Sequence, residues 1–256
     1  MSAIDARLSV HNVTFLGATL DELCTYWEAL GVTRLSVIDT QLQELRLADV
    51  IDAHGFTVET VYHLFSSTDG LRRVIDAAAA IGARAVYMLT GGRGGAAWEE
   101  AADAFCTAVQ PCRTDARGAG VTLAIENASP LYADIHIAHT LRDTIELAEM
   151  ADIGVCVDLF HCWTEAHLPV LIERALPRTA MIQLSDYVLG DRALPGRAVP
   201  GDGAIPVEQV VAQVLAGGYP HGFDLELIGP RIEREGRLQA ARRACETVSA
   251  MLERAG

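Results

Sequence analysis

The 256-residue sequence contains no lysine, so its 20 basic residues are all arginines. Schiff-base catalysis and a lysine general base are therefore excluded. The arginines are outnumbered by 34 aspartates and glutamates, which gives a net charge of −14. Nucleic acids and anionic membrane surfaces are bound by basic protein faces. We therefore expect neither as a partner and predict a small-molecule ligand instead.

Long apolar segments and zinc-type cysteine pairs are missing as well. No run approaches the roughly 20 apolar residues that a membrane-spanning helix needs. The start, MSAIDARLSVHN, lacks the basic and apolar regions of a signal peptide. The six cysteines show neither CxxC pairs nor the spacing of a zinc site. Free thiols in a cytoplasmic protein are the expectation.

Short β-type apolar runs alternate with amphipathic helical runs along the whole chain. Strands that are each followed by a helix pair in parallel, and eight of them close into a barrel of about 250 residues. We therefore predict an α/β fold with one domain, a single (β/α)8 TIM barrel over 1–256. An open doubly wound sheet is the alternative, weakened because no glycine-rich dinucleotide motif follows the first strand. The predicted strands are 8–13, 33–38, 56–62, 83–89, 121–126, 153–158, 180–185 and 222–227.

Capping residues predict several helix boundaries. Thr19 followed by Glu22 predicts a capping box at the start of the first helix. Asp69 is the predicted cap of a helix over 70–81. A long helix with alternating charges is predicted over 233–254.

Four polar side chains end short apolar runs in the second half of the chain, namely Glu126, Asp158, Gln183 and Glu226. Burying carboxylates at strand ends is costly unless a cation meets them. Because strand ends meet on one face of a barrel, a divalent metal held by these oxygens is the economical explanation. The set suits Mn²⁺ or Mg²⁺ best and allows Co²⁺, whereas zinc usually recruits His or Cys. The alternative is that each acid caps the next helix.

Such a metal would leave coordination positions for substrate oxygens. It can polarise a carbonyl and stabilise an enediolate while a flanking carboxylate moves a proton. Proton abstraction next to a carbonyl is therefore the predicted chemistry. The loop 187–205, between strands seven and eight, is long for a compact domain and is expected to be functional.

The segments around these residues resemble the sugar phosphate isomerase/epimerase family, which has the xylose isomerase-like barrel. The resemblance is firm over 120–230, whereas from 1 to 120 only the strand–helix rhythm fits. It implies a metal-dependent sugar isomerase, epimerase or dehydratase that forms homodimers or homotetramers. The segments that carry it are AIENASPLYAD, VCVDLFHCW, MIQLSDY, RAVPGDGAI and GGYPHGFDLELIGP.

The resemblance also implies residue roles. Glu126 and Glu226 would be metal ligands that also form the acid/base pair on either face of the substrate. Asp158 would be a further ligand, and His161, in the D-x-x-H of VDLFH, would hydrogen-bond a substrate oxygen. The fourth ligand is commonly His in the epimerases, where this chain has Gln183. Glutamine at this place is similar to what the dehydroshikimate dehydratase branch uses.

Further substrate contacts are expected near the strand ends. By the same resemblance Arg197 in GRAVPGDG faces the substrate, with Arg192 as the alternative. His11 on strand one either points into the barrel mouth or is a core histidine. His63 follows strand three, and Trp163 adjoins the D-x-x-H motif. Loop or helix-surface positions are expected for His136, His139, His167 and His221.

The predicted function is that of a divalent metal-dependent isomerase, epimerase or dehydratase that removes an α-proton from a sugar-like hydroxy-carbonyl substrate. Few arginines line the predicted mouth, so an unphosphorylated substrate is favoured. The same intermediate would serve a lyase acting on 3-keto glycosides. A phosphodiesterase related to the apurinic endonucleases is disfavoured by the net charge of −14 and the oxygen-rich ligand set. A barrel that only binds a ligand is the non-enzymatic alternative.

Overall fold

A closed barrel of eight parallel strands forms the centre of the molecule. The computed structural model describes residues 4–256. Each strand pairs in parallel with the next, and the last pairs with the first. The predicted TIM barrel is therefore confirmed, and the open doubly wound alternative is wrong. Over 4–256, no helix combines the length and the apolar character needed to cross a membrane.

All eight predicted strands are present. At most of the strand ends, the observed boundary differs from the predicted one by one or two residues. The third strand runs two residues further than predicted, and the last one ends one residue before Glu226. The strands are β1 (Leu8–His11), β2 (Arg34–Ile38), β3 (Thr57–Leu64), β4 (Ala85–Leu89), β5 (Thr122–Glu126), β6 (Gly154–Asp158), β7 (Thr179–Leu184) and β8 (Phe223–Leu225).

Helices follow the strands and surround the barrel. The helix predicted over 233–254 is two helices, because the chain turns at Gly236 with a φ of +93°, which glycine adopts readily. The helices are α1 (Leu20–Leu30), α2 (Leu47–His54), α3 (Thr68–Ala80), α4 (Trp98–Gly118), α5 (Leu141–Ala151), α6 (Leu159–Cys162), α7 (Leu168–Ala175), α8 (Val207–Ala216), α9 (Pro230–Glu235) and α10 (Arg237–Ala255).

The predicted helix caps have different outcomes. The capping box of Thr19 and Glu22 is confirmed, and the Glu22 carboxylate accepts the Thr19 N–H at 2.8 Å. The cap predicted at Asp69 is wrong, because α3 begins at Thr68 and its N-cap is Ser67. The Ser67 hydroxyl accepts the backbone N–H of Gly70 at 3.1 Å. Serine caps as well as aspartate, so the residue type alone did not decide between them.

The apolar core lies mainly between the barrel and the helices. Inside the barrel, a second cluster contains Ala124, Cys156 and Met181. Because side chains alternate along a strand, the residues two positions further on also point inward. These residues are Glu126, Asp158 and Gln183, at the carboxyl ends of β5, β6 and β7.

Candidate active site

The carboxyl ends of the strands surround a cavity of about 220 Å³. Inward-facing residues at the strand ends form its floor, and the following loops form its walls. Its polar lining consists of His11, Tyr62, Tyr87, Glu126, Tyr132, His161, Arg197 and Glu226. Its apolar lining consists of Val13, Leu89, Ala128, Ile135, Pro195 and Ile228.

Backbone contacts hold the ends of β5 and β6 in place. The Asn127 side chain donates to the Asp158 carbonyl oxygen at 2.8 Å and accepts the Asp158 N–H at 2.9 Å. His136 Nε2 donates to the Glu126 carbonyl oxygen at 2.8 Å, while its Nδ1 accepts the Thr90 N–H at 3.0 Å. His136 lies in a loop, which is one of the two placements expected for it, but it is completely buried there. It lies in an irregular segment, where no periodicity indicates burial.

Arg197 lies among the carboxylates. Its guanidinium contacts Asp158 through two nitrogens, at 2.5 and 3.1 Å. One of these nitrogens is also 3.0 Å from Glu226 Oε1. The Phe160 ring covers the group, with its centroid 4.7 Å from the guanidinium carbon. Arginine stays charged at any accessible pH, so it compensates one of the negative charges around it.

The loop between β7 and α8 is ordered around Asp186 and delivers Arg197 to the cavity. The Asp186 carboxylate accepts the backbone N–H groups of residues 201, 203 and 205, at 2.8 to 3.0 Å. A Cβ at Gly203 would lie 2.3 Å from the Tyr187 carbonyl oxygen and 2.5 Å from the Asp186 carboxylate, so this approach requires glycine. The predicted loop 187–205 thus supplies Pro195 and Arg197 to the cavity lining.

Gln183 presents its amide nitrogen to the carboxylates. Nε2 donates to Glu226 Oε2 at 2.5 Å and to the Tyr87 hydroxyl at 3.1 Å. Oε1 accepts from the Cys156 thiol, at 3.3 Å from Sγ. The predicted role of Gln183 as a metal ligand would require the amide to turn over, and it stays a prediction. In the present arrangement Gln183 positions Glu226.

Glu126, Asp158 and His161 form a compact group of side chains that could hold a metal ion. One candidate ligand atom from each lies within 4.8 Å of the other two. His161 Nε2 is 3.5 Å from Asp158 Oδ2. Glu226 joins the same cluster through Arg197. His161, for which a substrate contact was predicted, is therefore also placed as a candidate ligand.

Burial and mutual repulsion separate the pKa values of the three carboxyl groups. Burial, together with the charges of Glu226 and Asp158, raises the pKa of Glu126 well above its usual value. Burial, partly offset by Arg197, raises the pKa of Glu226 to about 7. Burial opposes ionisation of Asp158 too, but Arg197 holds the pKa of Asp158 below its usual value. The cluster thus combines one firmly ionised carboxylate with two that hold protons more tightly.

Three predicted substrate contacts lie outside the cavity lining. His63 Nδ1 is 2.6 Å from the Asp39 carboxylate, which turns the ring towards the loop after β2. Trp163 packs against Tyr187, with ring centroids 6.2 Å apart. Arg192 is exposed and donates to the Tyr187 hydroxyl at 3.1 Å. Local partners therefore hold these side chains away from the cavity wall.

His11 lines the cavity, which is one of the two placements expected for it. Three tyrosines that the sequence analysis did not identify line it as well. Tyr62 and Tyr87 occupy inward positions, and their ring centroids are 5.6 Å apart. The alternation along β3 and β4 was a usable signal for both. Tyr132 lies edge-on to His161, with ring centroids 6.1 Å apart. It follows β5 in a short 3-10 helix, where the sequence pattern gives no such signal.

The residues of this cluster fit a divalent cation. Three carboxylates face one guanidinium, so the fully ionised cluster carries an uncompensated negative charge in surroundings of low polarity. Burial and this excess together raise the pKa values of Glu126 and Glu226. A divalent cation would remove it, and carboxylate and imidazole groups are common ligands of such ions.

The sequence matches the model of one protein family over residues 17–248, the xylose isomerase-like TIM barrel. A comparison with curated proteins finds no significant match.

Solved structures with the same fold include sugar 3-epimerases and a protein described as a probable dehydratase. The IolI protein, solved with a zinc atom, gives a TM-score of 0.82 at 15% identity, over 97% of this chain and 99% of that one. D-Psicose 3-epimerase from Clostridium cellulolyticum H10, solved with D-tagatose, gives 0.79 at 14% identity, over 96% and 98%. AsbF from Bacillus anthracis, described as a probable 3-DHS dehydratase, gives 0.76 at 12% identity, over 94% and 98%. At these identities the likeness establishes the fold alone.

Proposed function

Because the chain belongs to the xylose isomerase-like TIM barrel family, we propose that it is a divalent metal-dependent isomerase, epimerase or dehydratase. It acts by α-proton abstraction on a compact, sugar-like hydroxy-carbonyl substrate. The observation that carries this proposal is a pair of glutamates that face one cavity. Glu126 ends β5, and Glu226 directly follows β8.

The two glutamates suit proton transfer on two sides of a substrate. Strands β6 and β7 lie between β5 and β8, so the carboxyl groups approach the cavity from different directions. One glutamate removes the proton next to the carbonyl, and the resulting enediolate is reprotonated by the other. Return of the proton to the opposite face gives epimerisation, and its return to the former carbonyl carbon gives isomerisation. In dehydration, the second glutamate instead protonates a β-hydroxyl, which leaves as water.

The surrounding residues support these roles. Glu226 has a pKa near 7, which lets it both accept and donate a proton at neutral pH. Arg197 fixes the positions of Asp158 and Glu226 and remains charged throughout. Glu126, Asp158 and His161 are the residues that would hold the ion, for which we propose Mn²⁺ or Mg²⁺. When bound, the ion supplies a Lewis acid that polarises the substrate carbonyl.

The cavity favours a small, unphosphorylated substrate. Arg197 is the only arginine that lines it among residues 4–256, and its guanidinium is paired with Asp158 and Glu226. Arg93 donates to the carbonyl of its own loop residue Ala96 at 2.6 Å. A substrate phosphate would therefore meet buried carboxylates without a free cation, which is unfavourable.

Hydrogen exchange in D₂O tests the proposal. Keto-sugars, 3-keto-glycosides and dehydroshikimate are incubated with the protein and Mn²⁺, Mg²⁺, Co²⁺ or Zn²⁺, and deuterium incorporation is measured by mass spectrometry. We expect metal-dependent incorporation into at least one substrate class. No incorporation in any combination would contradict α-proton abstraction.

Variants identify the groups that transfer the proton. Glu126→Gln and Glu226→Gln are expected to lose exchange, whereas Glu173→Gln, on the exposed face of α7, keeps it. Metal content is measured in parallel. A protein that retains metal but exchanges no substrate proton would support the alternative of a barrel that only binds a ligand.

A further inference from the structure

Tyr87 lines the cavity, and its hydroxyl lies between His11 and Gln183. Its oxygen is 2.7 Å from His11 Nε2 and 3.1 Å from Gln183 Nε2. Tyr87 is 1% exposed, and within residues 4–256 its hydroxyl has no third hydrogen-bond partner. The direction of the hydroxyl proton therefore depends on whether these two neighbours donate or accept.

The backbone fixes the tautomer of His11. The Val13 backbone N–H points at His11 Nδ1 over 3.0 Å, and a backbone N–H can only donate. Nδ1 is therefore unprotonated. Burial lowers the pKa of His11, so the ring is neutral and its single proton is on Nε2. His11 consequently donates to the Tyr87 oxygen.

The contacts of Gln183 fix the direction of its amide. Glu226 accepts from Arg197 on Oε1 at 3.0 Å, which is the pattern of an ionised carboxylate. Its Oε2 is 2.5 Å from the amide of Gln183. When Glu226 is ionised, above its pKa of about 7, two oxygens facing each other at that distance would repel, so the group there is the NH₂. On the opposite side, Gln183 Oε1 accepts from Cys156. Gln183 therefore also donates to Tyr87.

Because His11 and Gln183 both donate, the Tyr87 oxygen accepts one hydrogen bond on each of its two lone pairs. The hydroxyl proton is therefore bound by neither neighbour. We propose that Tyr87 is a substrate-binding residue whose hydroxyl donates a hydrogen bond into the cavity, to a carbonyl or hydroxyl oxygen of the substrate. The nature of this acceptor rests on the proposed function. The direction of the donor does not, because it follows from the contacts of His11, of Gln183 and of the ionised Glu226.

A neutral donor at this position complements the groups around it. The carboxylates of Glu126 and Glu226 only accept hydrogen bonds and disfavour a carbonyl oxygen, whereas the Tyr87 hydroxyl donates to one. Burial raises the pKa of Tyr87 well above its usual value, so the hydroxyl stays protonated and acts as a donor. The site therefore selects a substrate with an oxygen on the side that faces β4, and it discriminates against an analogue that lacks this oxygen.

The tautomer of His11 tests the donor direction without a substrate. Long-range ¹H–¹⁵N NMR correlations distinguish the two tautomers, and His11→Gln identifies the signals of this ring. We expect an unprotonated Nδ1 and a protonated Nε2 at neutral pH. The opposite tautomer would overturn the proposal, because Tyr87 would then donate to His11. This measurement decides the direction of the donor, and its outcome does not depend on whether the protein is an enzyme.

Tyr87→Phe tests the contact with substrate, since it keeps the ring and removes only the hydroxyl. With a substrate found by the exchange assay, we expect KM to rise by about 5- to 30-fold, with a smaller change in kcat. An unchanged KM in folded protein would overturn the proposal. Tyr219→Phe is the matched control, because it removes a buried hydroxyl that is 2.9 Å from the Gly222 carbonyl at the other end of the barrel. It should leave KM unchanged. If no substrate exchanges, the proposed function fails, while the His11 tautomer still decides the donor direction.

Discussion

Both ends of the barrel contain buried carboxylates and arginines, but the ratio of the two residue types is opposite at the two ends. At the amino-terminal end, Glu59 is 4% exposed and pairs with both Arg34 and Arg84. Arg84 Nε is 3.0 Å from Glu59 Oε2, and the same side chain donates to the Ala180 carbonyl on β7 at 2.7 Å. Two cations thus surround one anion, and the group ties separate strands together.

At the carboxyl-terminal end, three carboxylates share Arg197. The same residue types therefore form a compensated ion-pair group at one end and a cluster with excess negative charge at the other. The first faces backbone and neighbouring strands, whereas the second faces a cavity. Paired buried charges hold a structure together, but an uncompensated group in a cavity with shifted pKa values indicates a functional site.

The largest expected difference between the two ends of the barrel is in the rate of proton exchange. Glu226→Gln keeps the side-chain shape but cannot transfer a proton, so we expect the exchange rate to fall by about 10²- to 10⁴-fold. Glu59→Gln alters only the opposite end, and its exchange rate per folded molecule should match that of the wild type. Both rates are measured in D₂O at saturating metal. An equal loss in the two variants would break the comparison.

Removal of a carboxylate should reduce stability most at the amino-terminal end of the barrel. Glu59→Ala leaves Arg34 and Arg84 without their counter-ion, and we expect the free energy of unfolding to fall by about 2–3 kcal/mol. The loss is smaller than for a fully buried pair because the two arginines are 35% and 27% exposed. Urea denaturation measures it. Glu208→Ala is the control, since its exposed pair with Arg254 is screened by solvent and its loss should change the free energy of unfolding much less.

Much of the carboxyl-terminal end was predictable from the sequence. The strand positions of Glu126, Asp158 and Gln183 follow from the alternation of apolar runs and helices. Their convergence follows from barrel geometry, because strand ends of a closed parallel sheet meet on one face. The period of two along each strand then turns these side chains inward. Tyr62 and Tyr87 obey the same rule, and applying it to β3 and β4 would have found them.

The rest depends on contacts between distant segments. Neither the pairing of Arg197 with Asp158 nor the outward position of Arg192 has a periodic signal, because both lie in an irregular loop ordered by Asp186. The amide direction of Gln183 likewise depends on contacts with β4, β6 and the end of β8. Local sequence carries no information on such contacts.

The pH dependence of stability tests the excess charge in protein freed of metal by EDTA. Glu226 has a pKa of about 7 in the folded state, above the usual value of 4.5. Between these pH values the folded protein binds more protons than the unfolded chain. The free energy of unfolding should therefore fall as pH rises from about 4.5 to 7, by an amount on the order of 1–3 kcal/mol. Glu126 contributes in the same direction. Urea denaturation of Glu226→Gln should show a shallower fall, and an identical slope would contradict the assignment.

The smallest expected effect is a change in stability that has opposite signs at the two ends of the barrel. In metal-free protein, at a pH high enough to ionise Glu126, whose pKa is raised well above its usual value, Glu126→Gln removes one of the excess negative charges, and we expect the free energy of unfolding to increase by about 1 kcal/mol. The side chain is buried among Asp158 and Glu226, whose charges oppose its ionisation. Glu59→Gln should decrease stability under the same conditions, and the exposed Glu173→Gln should leave it unchanged within about 0.5 kcal/mol. Saturating metal should reverse the sign for Glu126→Gln, because the wild type then gains binding energy that the variant loses. Destabilisation by Glu126→Gln in the absence of metal would mean that the cluster is compensated, as the group around Glu59 is.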